Sequence, residues 1–400
     1  MVSFFEIIYM NKDSFALVIC DIYPSTSGQA VVSRQVFNIL ENYYRIMHVP
    51  LSYNSKEVRR TFLFRIFFIF IFIFKLYSFL LKRSDKKIIY FTPSRGKVSI
   101  YRDFIILLML KLFKNNKQNN NIKIFSHLHG SDMKKNYDKF FIKSFFRTTY
   151  NELKINIIIL DDFHKNFALG KRYRYYSIIP NFIKLSDIKY SKKIIETRSK
   201  EFIKFKKKLP STLNFLHLSG VLKNKGLDFS IRFIEKLNSD LDFINYKTSF
   251  HLDIVGWKKS DFILIYPNLK MTIEKMEKNS LIQFHGKITD NSDLNKIYSK
   301  THFNILLSET EGQPLSLIET AGFGGLSIIN NVDFISQLLS KIDGIVIERN
   351  NLVDGVLKFK KYIYNTNEKY FYHDNCLVRY HKINKYFNKE TFKKNILSII

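Results

Sequence analysis

Residues 302–325 read HFNILLSETEGQPLSLIETAGFGG. Phe303 to Leu307 is an apolar run of strand length, and Ser308 to Gly312 has loop composition. Pro314 stands where the first turn of a helix accepts proline. Leu315, Leu317, Ile318 and Ala321 then recur at helical spacing until Gly322, Gly324 and Gly325 stop the helix. The stretch predicts strand, tight loop, helix, with Glu311 in the loop and Glu319 inside the helix. In an open α/β sheet, ligands bind beyond the carboxyl ends of strands and against helix N-termini. Free N–H groups around Gln313, Leu315 and Ser316 suit a phosphate, and a carboxylate further along suits sugar hydroxyls, which are donors. The competing reading makes Glu309, Glu311 and Glu319 plain solvated acids, favoured near a helix start by the dipole.

The same unit recurs along the chain. Phe15 to Cys20 is a continuous apolar run, as in a parallel strand buried on both faces. A small-residue loop, Pro24 to Gly28, follows it and contains Ser27; Gln29 to Leu40 is helical. One glycine falls short of G-x-G-x-x-G, so no dinucleotide fingerprint is present. Lys87 to Phe91 and Ile122 to Ser126 are further buried strands, the second running into His127-Leu-His129-Gly130-Ser-Asp132. His127 and His129 would share one face of a continued strand, but no third metal ligand accompanies them. Ile157 to Leu160 and Tyr176 to Ile179 are strands, the latter followed by Pro180-Asn181, a pair that also makes ordinary turns. Lys189 to Lys208 reads as a charged helical connector.

The second half starts near Pro210. Leu213 to Leu218 is a strand, Ser219-Gly220-Val221-Leu222-Lys223-Asn224-Lys225-Gly226 a loop, and Leu227 to Leu237 a helix. An ammonium such as Lys225 at a loop-to-helix junction neutralises phosphate charge. Leu252 to Val255 and Leu281 to Phe284 are strands ending at Gly256 and Gly286, and Leu294 to Ser299 is a short helix. Ser327 to Ile329 and Gly344 to Ile347 add two strands, and helices finish the chain from Arg379. Repeated strand–helix units in both halves predict an α/β chain of two doubly wound domains facing a cleft.

Several of these motifs carry a resemblance. Glu311 and Glu319, with Gly312, Pro314 and Leu315 between them, look like the E-x7-E signature of retaining family-4 glycosyltransferases of the GT-B fold. The segment FTPSRGK…YRD…HLHGSD is similar to bacterial glycosyltransferases of surface-polysaccharide (capsule and O-antigen, lipopolysaccharide) assembly. The resemblance spans Asn214 to Ile347 and, more patchily, Phe15 to Asn181. It implies an acceptor-side Rossmann-like domain over 1–209, joined by a C-terminal helix at 380–400, and a donor-binding Rossmann-like domain over 210–379. It implies that Lys225 meets the donor diphosphate and Glu319 the ribose hydroxyls. Glu311, His129 and the Gly312–Leu315 loop, including Gln313, would surround the transferring sugar, with Gly220 against the donor. Ser27 and Gly28 would belong to the acceptor loop. Many members carry Arg directly after the glycine matching Gly220, where this chain has Val221; either a second cation comes from elsewhere, Lys223 being a candidate by proximity alone, or the diphosphate is held more weakly.

Composition limits the partners. Of the 400 residues 46% are hydrophobic, ample for two cores. The net charge is +29, and residues 1–209 hold 39 Lys+Arg against 15 Asp+Glu, so nearly all the excess lies in the first half. A basic half predicts an anionic partner, and the absence of zinc-finger or RNA-binding signatures directs that expectation to a membrane surface or a phosphorylated ligand rather than nucleic acid. Phe62 to Leu81 has an uninterrupted apolar core only from Ile66 to Phe74, whereas a spanning helix needs ~20 apolar residues. It reads as interfacial, with Arg59, Arg60, Arg65, Lys75, Lys82 and Arg83 for acidic headgroups, or as a core helix with snorkelling cations. Cys20 and Cys376 are far apart, which favours a reducing compartment, and the start lacks a basic signal-peptide region.

The expectation is a metal-independent transferase with no cofactor, moving sugar from a nucleoside-diphosphate donor to a glycan, lipid-linked acceptor at the inner membrane face. A GT-B-fold nucleotide-sugar epimerase or a non-catalytic membrane-associated scaffold are the alternatives. The first leaves the basic half unused; Glu311, Glu319 and Lys225 argue against the second.

Overall fold

The computed structural model describes residues 14–22, 28–50, 62–82, 84, 86–93, 99–114, 121–129, 140–162, 173–183, 193–197, 200, 209–332, 335–364 and 373–400. Contacts divide the chain into two compact units: Met1–Pro180 with Phe392–Ile400, and Asn181–Thr391. The domain junction expected at 209/210 lies within the second unit. The reason is local: Ile195, in the helical segment 193–197, is buried against Cys376 and Tyr380 of that unit.

The first unit holds strands β1 (Phe15–Ile19), β2 (Arg45–Val49), β3 (Lys87–Phe91), β4 (Ile122–His127), β5 (Asn156–Ile159) and β6 (Tyr176–Ile178). They form one parallel sheet in the order β2-β1-β3-β4-β5-β6. Helices α1 (Gly28–Glu41), α2 (Phe62–Leu81), α3 (Ser99–Lys114) and α4 (Phe140–Glu152) make the crossovers that parallel pairing requires. Every residue of β3 is buried, as expected for a strand covered on both faces. One core packs Leu17, Ile89 and Phe91 of the sheet against Leu76 and Phe79 of α2 and Leu107 of α3.

The second unit holds β7 (Thr212–Leu218), β8 (Ser249–Val255), β9 (Ile282–Gly286), β10 (Phe303–Leu306), β11 (Leu326–Asn330) and β12 (Gly344–Ile347). They too form a parallel sheet, in the order β12-β11-β10-β7-β8-β9. Its helices are α5 (Leu227–Asn238), α6 (Leu241–Asn245), α7 (Lys259–Ile265), α8 (Lys270–Lys278), α9 (Asn291–Lys300), α10 (Leu315–Gly322), α11 (Ile335–Ile342), α12 (Leu352–Tyr364) and α13 (His373–Tyr386). The last helix, α14 (Lys389–Ile399), starts in this unit and ends in the first. Phe215, Phe250 and Phe303 of neighbouring strands meet Phe359 of α12 with ring centroids 5.2–6.0 Å apart, at the centre of the core.

The chain leaves β7 in one direction to build β8 and β9, then returns to place β10 on β7's other side. The carboxyl ends of β7 and β10 therefore flank a topological switch point, where open α/β sheets bind ligands. Both loops singled out in the second half, 219–226 and 308–314, leave from there.

Candidate functional site

The loop after β7 is built on a residue that must be glycine. Gly226 has φ +69, and a Cβ there would lie 2.0 Å from the Leu307 carbonyl oxygen at the end of β10. Only glycine allows the two loops to touch so closely. That contact seats the 3₁₀ turn Lys223–Lys225 against the β10 loop, and Glu309 N–H donates to the Asn224 carbonyl at 2.9 Å. Lys225 Nζ then reaches Glu311 Oε1 at 2.7 Å, and Ser308 Oγ donates to the same oxygen at 2.7 Å. The Lys225 and Glu311 side chains are 21% and 8% exposed, so the pair sits at the edge of solvent rather than in it. The solvated-acid reading of Glu311 does not hold. Glu309 is different: it is exposed and pairs with Arg349 at 2.8 Å, whose guanidinium also lies 4.9 Å from the Phe229 ring centroid.

Beneath these loops runs a buried polar chain. His217 on β7 contacts Ser230 Oγ through Nδ1 at 3.1 Å and Ser219 Oγ through Nε2 at 2.9 Å. Trp257 Nε1 donates to Ser219 Oγ at 3.1 Å, and Ser230 Oγ donates to the Gly226 carbonyl at 3.1 Å. Burial pushes the imidazole down to about 3, so the ring is neutral. A proton on Nδ1 satisfies the run from Trp257 through Ser219, His217 and Ser230 to Gly226, because each hydroxyl then donates once. The chain joins the end of β7 to the start of α5, fixing both sides of the loop. Gly220 lies between them, and a Cβ placed on it would meet nothing within 4 Å. The space over it is open.

Gln313 is 6% exposed, and its side-chain oxygen accepts from the Asn181 N–H at 2.6 Å while Asn181 Nδ2 donates to its carbonyl at 2.8 Å. Its side-chain oxygen and backbone carbonyl therefore hold the loop, through an asparagine that the sequence suggested as a domain junction or a turn. Pro314 does not enter the helix: it is extended (φ −64, ψ 120) and caps α10, which starts at Leu315. Gly312 lies buried in the loop, and Ser316 in the first turn of α10. Inside α10, Glu319 Oε2 accepts from the Tyr298 hydroxyl of α9 at 2.5 Å, and Tyr298 stacks on Phe323. Burial pushes Glu319 up to about 7, against the lowering effect of the Tyr298 hydrogen bond.

In the first unit, Gly28 is the exposed first residue of α1, while Ser27, Gly130 and Asp132 lie outside the described residues. His129 follows β4, half-buried, with its ring centroid 4.0 Å from that of His127. His127 is fully buried, within 2.7 Å of the Tyr90 hydroxyl through Nδ1, and burial lowers it to about 3. It is a neutral support under His129. Among the described residues no group of three or more His, Cys, Asp or Glu is placed to hold a metal ion. Lys225, Gly220, Glu311, Gly312, Gln313, Pro314, Leu315 and Glu319 belong to one unit, built on the two loops and α10; the structure brings Lys225 and Glu311 into contact.

Residues 199–370 match the sequence model of the family Glycosyl transferases group 1. No curated protein matches the chain. Among solved structures, sucrose-phosphate synthase from Thermosynechococcus elongatus is similar with a TM-score of 0.65 and 12% identity, over 96% of this chain and 98% of that one. Anabaena HepE, solved with UDP and glucose, is similar with a TM-score of 0.61 and 10% identity, over 96% and 98%. TarM of S. aureus, solved with Fondaparinux, alpha-GlcNAc-glycerol and UDP, is similar with a TM-score of 0.54 and 16% identity, over 83% of this chain and 58% of that one. At such identities the likeness shows the fold. Two parallel six-stranded sheets with surrounding helices are the GT-B architecture. The solved structures share this chain's fold, and residues 199–370 are similar to the Glycosyl transferases group 1 family.

Proposed function

We propose that the protein is a retaining glycosyltransferase that moves a sugar from a nucleoside-diphosphate sugar to a glycan acceptor, lipid-linked, in surface-polysaccharide synthesis on the inner face of the membrane. The observation that carries the donor side is the Lys225–Glu311 pair at the switch point, beside open space over Gly220. Transfer breaks the bond from the anomeric carbon to the diphosphate oxygen and makes one, on the same face, to an acceptor hydroxyl oxygen, whose proton passes to the departing diphosphate. Lys225 offsets the negative charge that grows on the departing diphosphate. Glu311 opposes it, a carboxylate suited to the positive charge that develops at the anomeric carbon. Glu319 accepts from ribose hydroxyls with the oxygen that Tyr298 does not hold. The backbone of Gly312 to Leu315 borders the sugar. The reaction is metal-independent in this reading: an ammonium and the α10 N-terminus take a cation's place. UDP is the first nucleotide to try, because HepE and TarM were solved with it.

A thermal-shift screen of UDP, GDP and ADP, free and as sugar conjugates, tests this reading. One nucleotide and its sugar conjugate raise the midpoint of the wild type and not of Lys225→Met. If none raises it, the donor site is wrong.

A further inference from the structure

The first unit carries an apolar surface that its own core does not use. On α2, Phe70, Phe74, Tyr77 and Leu81 are 65%, 69%, 45% and 59% exposed. Their spacing of four, three and four residues puts them on one side of the helix, along about 16 Å of its length. The opposite side, with Phe72, Leu76 and Phe79, is buried in the core. Helix α3 repeats the pattern: Tyr101 and Leu112 are each 65% exposed, and Leu108 38%, while Leu107 and Leu110 are buried. The Tyr77 and Phe113 rings meet edge-on at 5.7 Å, so the two helices present one continuous face. A helix that is apolar all round is normally covered.

Charge decides what covers it. Between them α2 and α3 contain one acid, Asp103, and it is 1% exposed. Beside them stand Lys75, Lys82 and Lys111; Lys75 Nζ donates to the His48 carbonyl at 3.0 Å, Lys111 pairs with Glu152 of α4, and the Lys82 ammonium lies 4.5 Å from the Phe15 ring centroid, which leaves the face net basic. A second copy docked through the same face would bring like charges together. Anionic headgroups complement the cations, while the aromatic and leucine side chains reach the acyl boundary. Among the described residues no helix is long and apolar enough to cross a membrane, so the face lies on the bilayer rather than in a span.

We propose that the outer face of α2 and α3 is a membrane-docking surface that inserts Phe70, Phe74 and Leu81 into the interface of an anionic bilayer. The proposal rests on this surface and not on the reaction. Flotation with vesicles of equal parts phosphatidylcholine and phosphatidylglycerol tests it. The wild type floats with them, and far less with phosphatidylcholine alone. Phe70→Ser with Phe74→Ser weakens vesicle affinity at least about 10-fold, because each phenylalanine buries apolar area only in the bound state. Both side chains are exposed, so the fold should persist; circular dichroism and unchanged nucleotide binding check it. As a second readout, Phe74→Trp should be quenched by brominated acyl chains above the constant signal of Trp257, the chain's 1 tryptophan, which is fully buried. Flotation unaltered by the double substitution, or an unquenched Trp, overturns the proposal. So does a wild-type dimer that ignores vesicles and is dissolved by the same substitutions, since a second copy then covers the face. Nucleotide binding without vesicle binding refutes the surface and leaves the donor site standing.

Discussion

Replacing Lys225 with Met keeps most of the aliphatic stem and removes the ammonium. In the structure Glu311 Oε1 receives two hydrogen bonds, from Lys225 Nζ and Ser308 Oγ, both at 2.7 Å. The Lys225→Met protein keeps only the second, on a carboxylate whose side chain is 8% exposed. Leaving such a group short of a charged partner costs about 1–3 kcal/mol. Lys225→Met should lose about that much stability in urea unfolding, and adding Glu311→Gln should recover much of it, because the stranded charge is gone. Nucleoside-diphosphate binding follows a different rule. A lost charge-assisted hydrogen bond of about 1.5–3 kcal/mol weakens binding about 10- to 150-fold, and the double variant should stay weak because the diphosphate needs the ammonium itself. Calorimetric titration of wild type, both single variants and the double variant separates the two effects. Wild-type affinity in Lys225→Met would place the diphosphate elsewhere. Affinity restored in the double variant would show that the single substitution acted only by stranding Glu311.

Four further outcomes are expected. Glu319 is raised to about 7 in the folded protein from 4.5, so the stability it contributes is full below pH 4.5 and is lost as pH rises through 7; Glu319→Gln should be the more stable protein above pH 7 by about 1–3 kcal/mol, and should bind nucleotide more weakly there, read by urea unfolding and calorimetry. Gly226→Ala meets both a positive φ and a Cβ 2.0 Å from Leu307 O, so it should cost more than the roughly 1–2 kcal/mol of left-handed strain alone and lower the thermal midpoint. Burial alone would raise the Asp253 carboxyl, but hydrogen bonds from His285 at 2.6 Å and from His251 hold it at about 2, while the Asp253 hydrogen bond raises His251. Asp253's contribution is present above pH 3.8 and lost as pH falls towards 2, and that of His251 is lost as pH rises past its raised value; Asp253→Asn should therefore cost most between about pH 4 and pH 6.5, by about 2 kcal/mol in pH-resolved unfolding. His217→Leu takes one hydrogen bond from Ser219, which keeps Trp257 Nε1, and one from Ser230, which keeps the Gly226 carbonyl, and should destabilise by about 0.5–1.5 kcal/mol for each bond lost, read by urea unfolding.

The buried strands were legible because parallel strands covered on both faces read as continuous apolar runs; the bounds read for β3 and β12 are those observed. Strand β2, Arg45–Val49, was not, because an edge strand exposed on one side mixes Arg45 and His48 with apolar residues and shows no clean run. Strand β8 was read too short: Phe250, Leu252 and Ile254 face the core while His251 and Asp253 face outward, an alternation that hid its first half. Helices α7 and α8 went unread because each is short and buries only one or two side chains, Phe262 in the first and Ile273 and Met276 in the second. Lys225 and Glu311 were each visible in a local motif. Their contact was not, since 86 residues separate them and only the crossover to β10 brings them together. The Asn181–Gln313 clasp spans 132 residues and leaves no local mark at all.

The site is therefore held by two kinds of constraint that act at different depths. At the surface, Lys225 and Ser308 converge on one carboxylate oxygen of Glu311, and in the proposed reading an incoming diphosphate competes for the ammonium. Below it, the chain from Trp257 to Gly226 contains no ionised group, since His217 is neutral, and so has no charge to lose to a ligand. Binding energy spent on rearranging the upper layer need not disturb the lower one, because Gly226 is fixed by backbone packing on Leu307 and by Ser230 rather than by the ion pair. A catalytic platform needs this separation: groups that exchange partners during a reaction must be carried on groups that do not. Sequence motifs record the first set because their chemistry is distinctive. The second set is built from a serine pair, a tryptophan and a strand histidine, residue types common in any core, and only the fold shows that they act together.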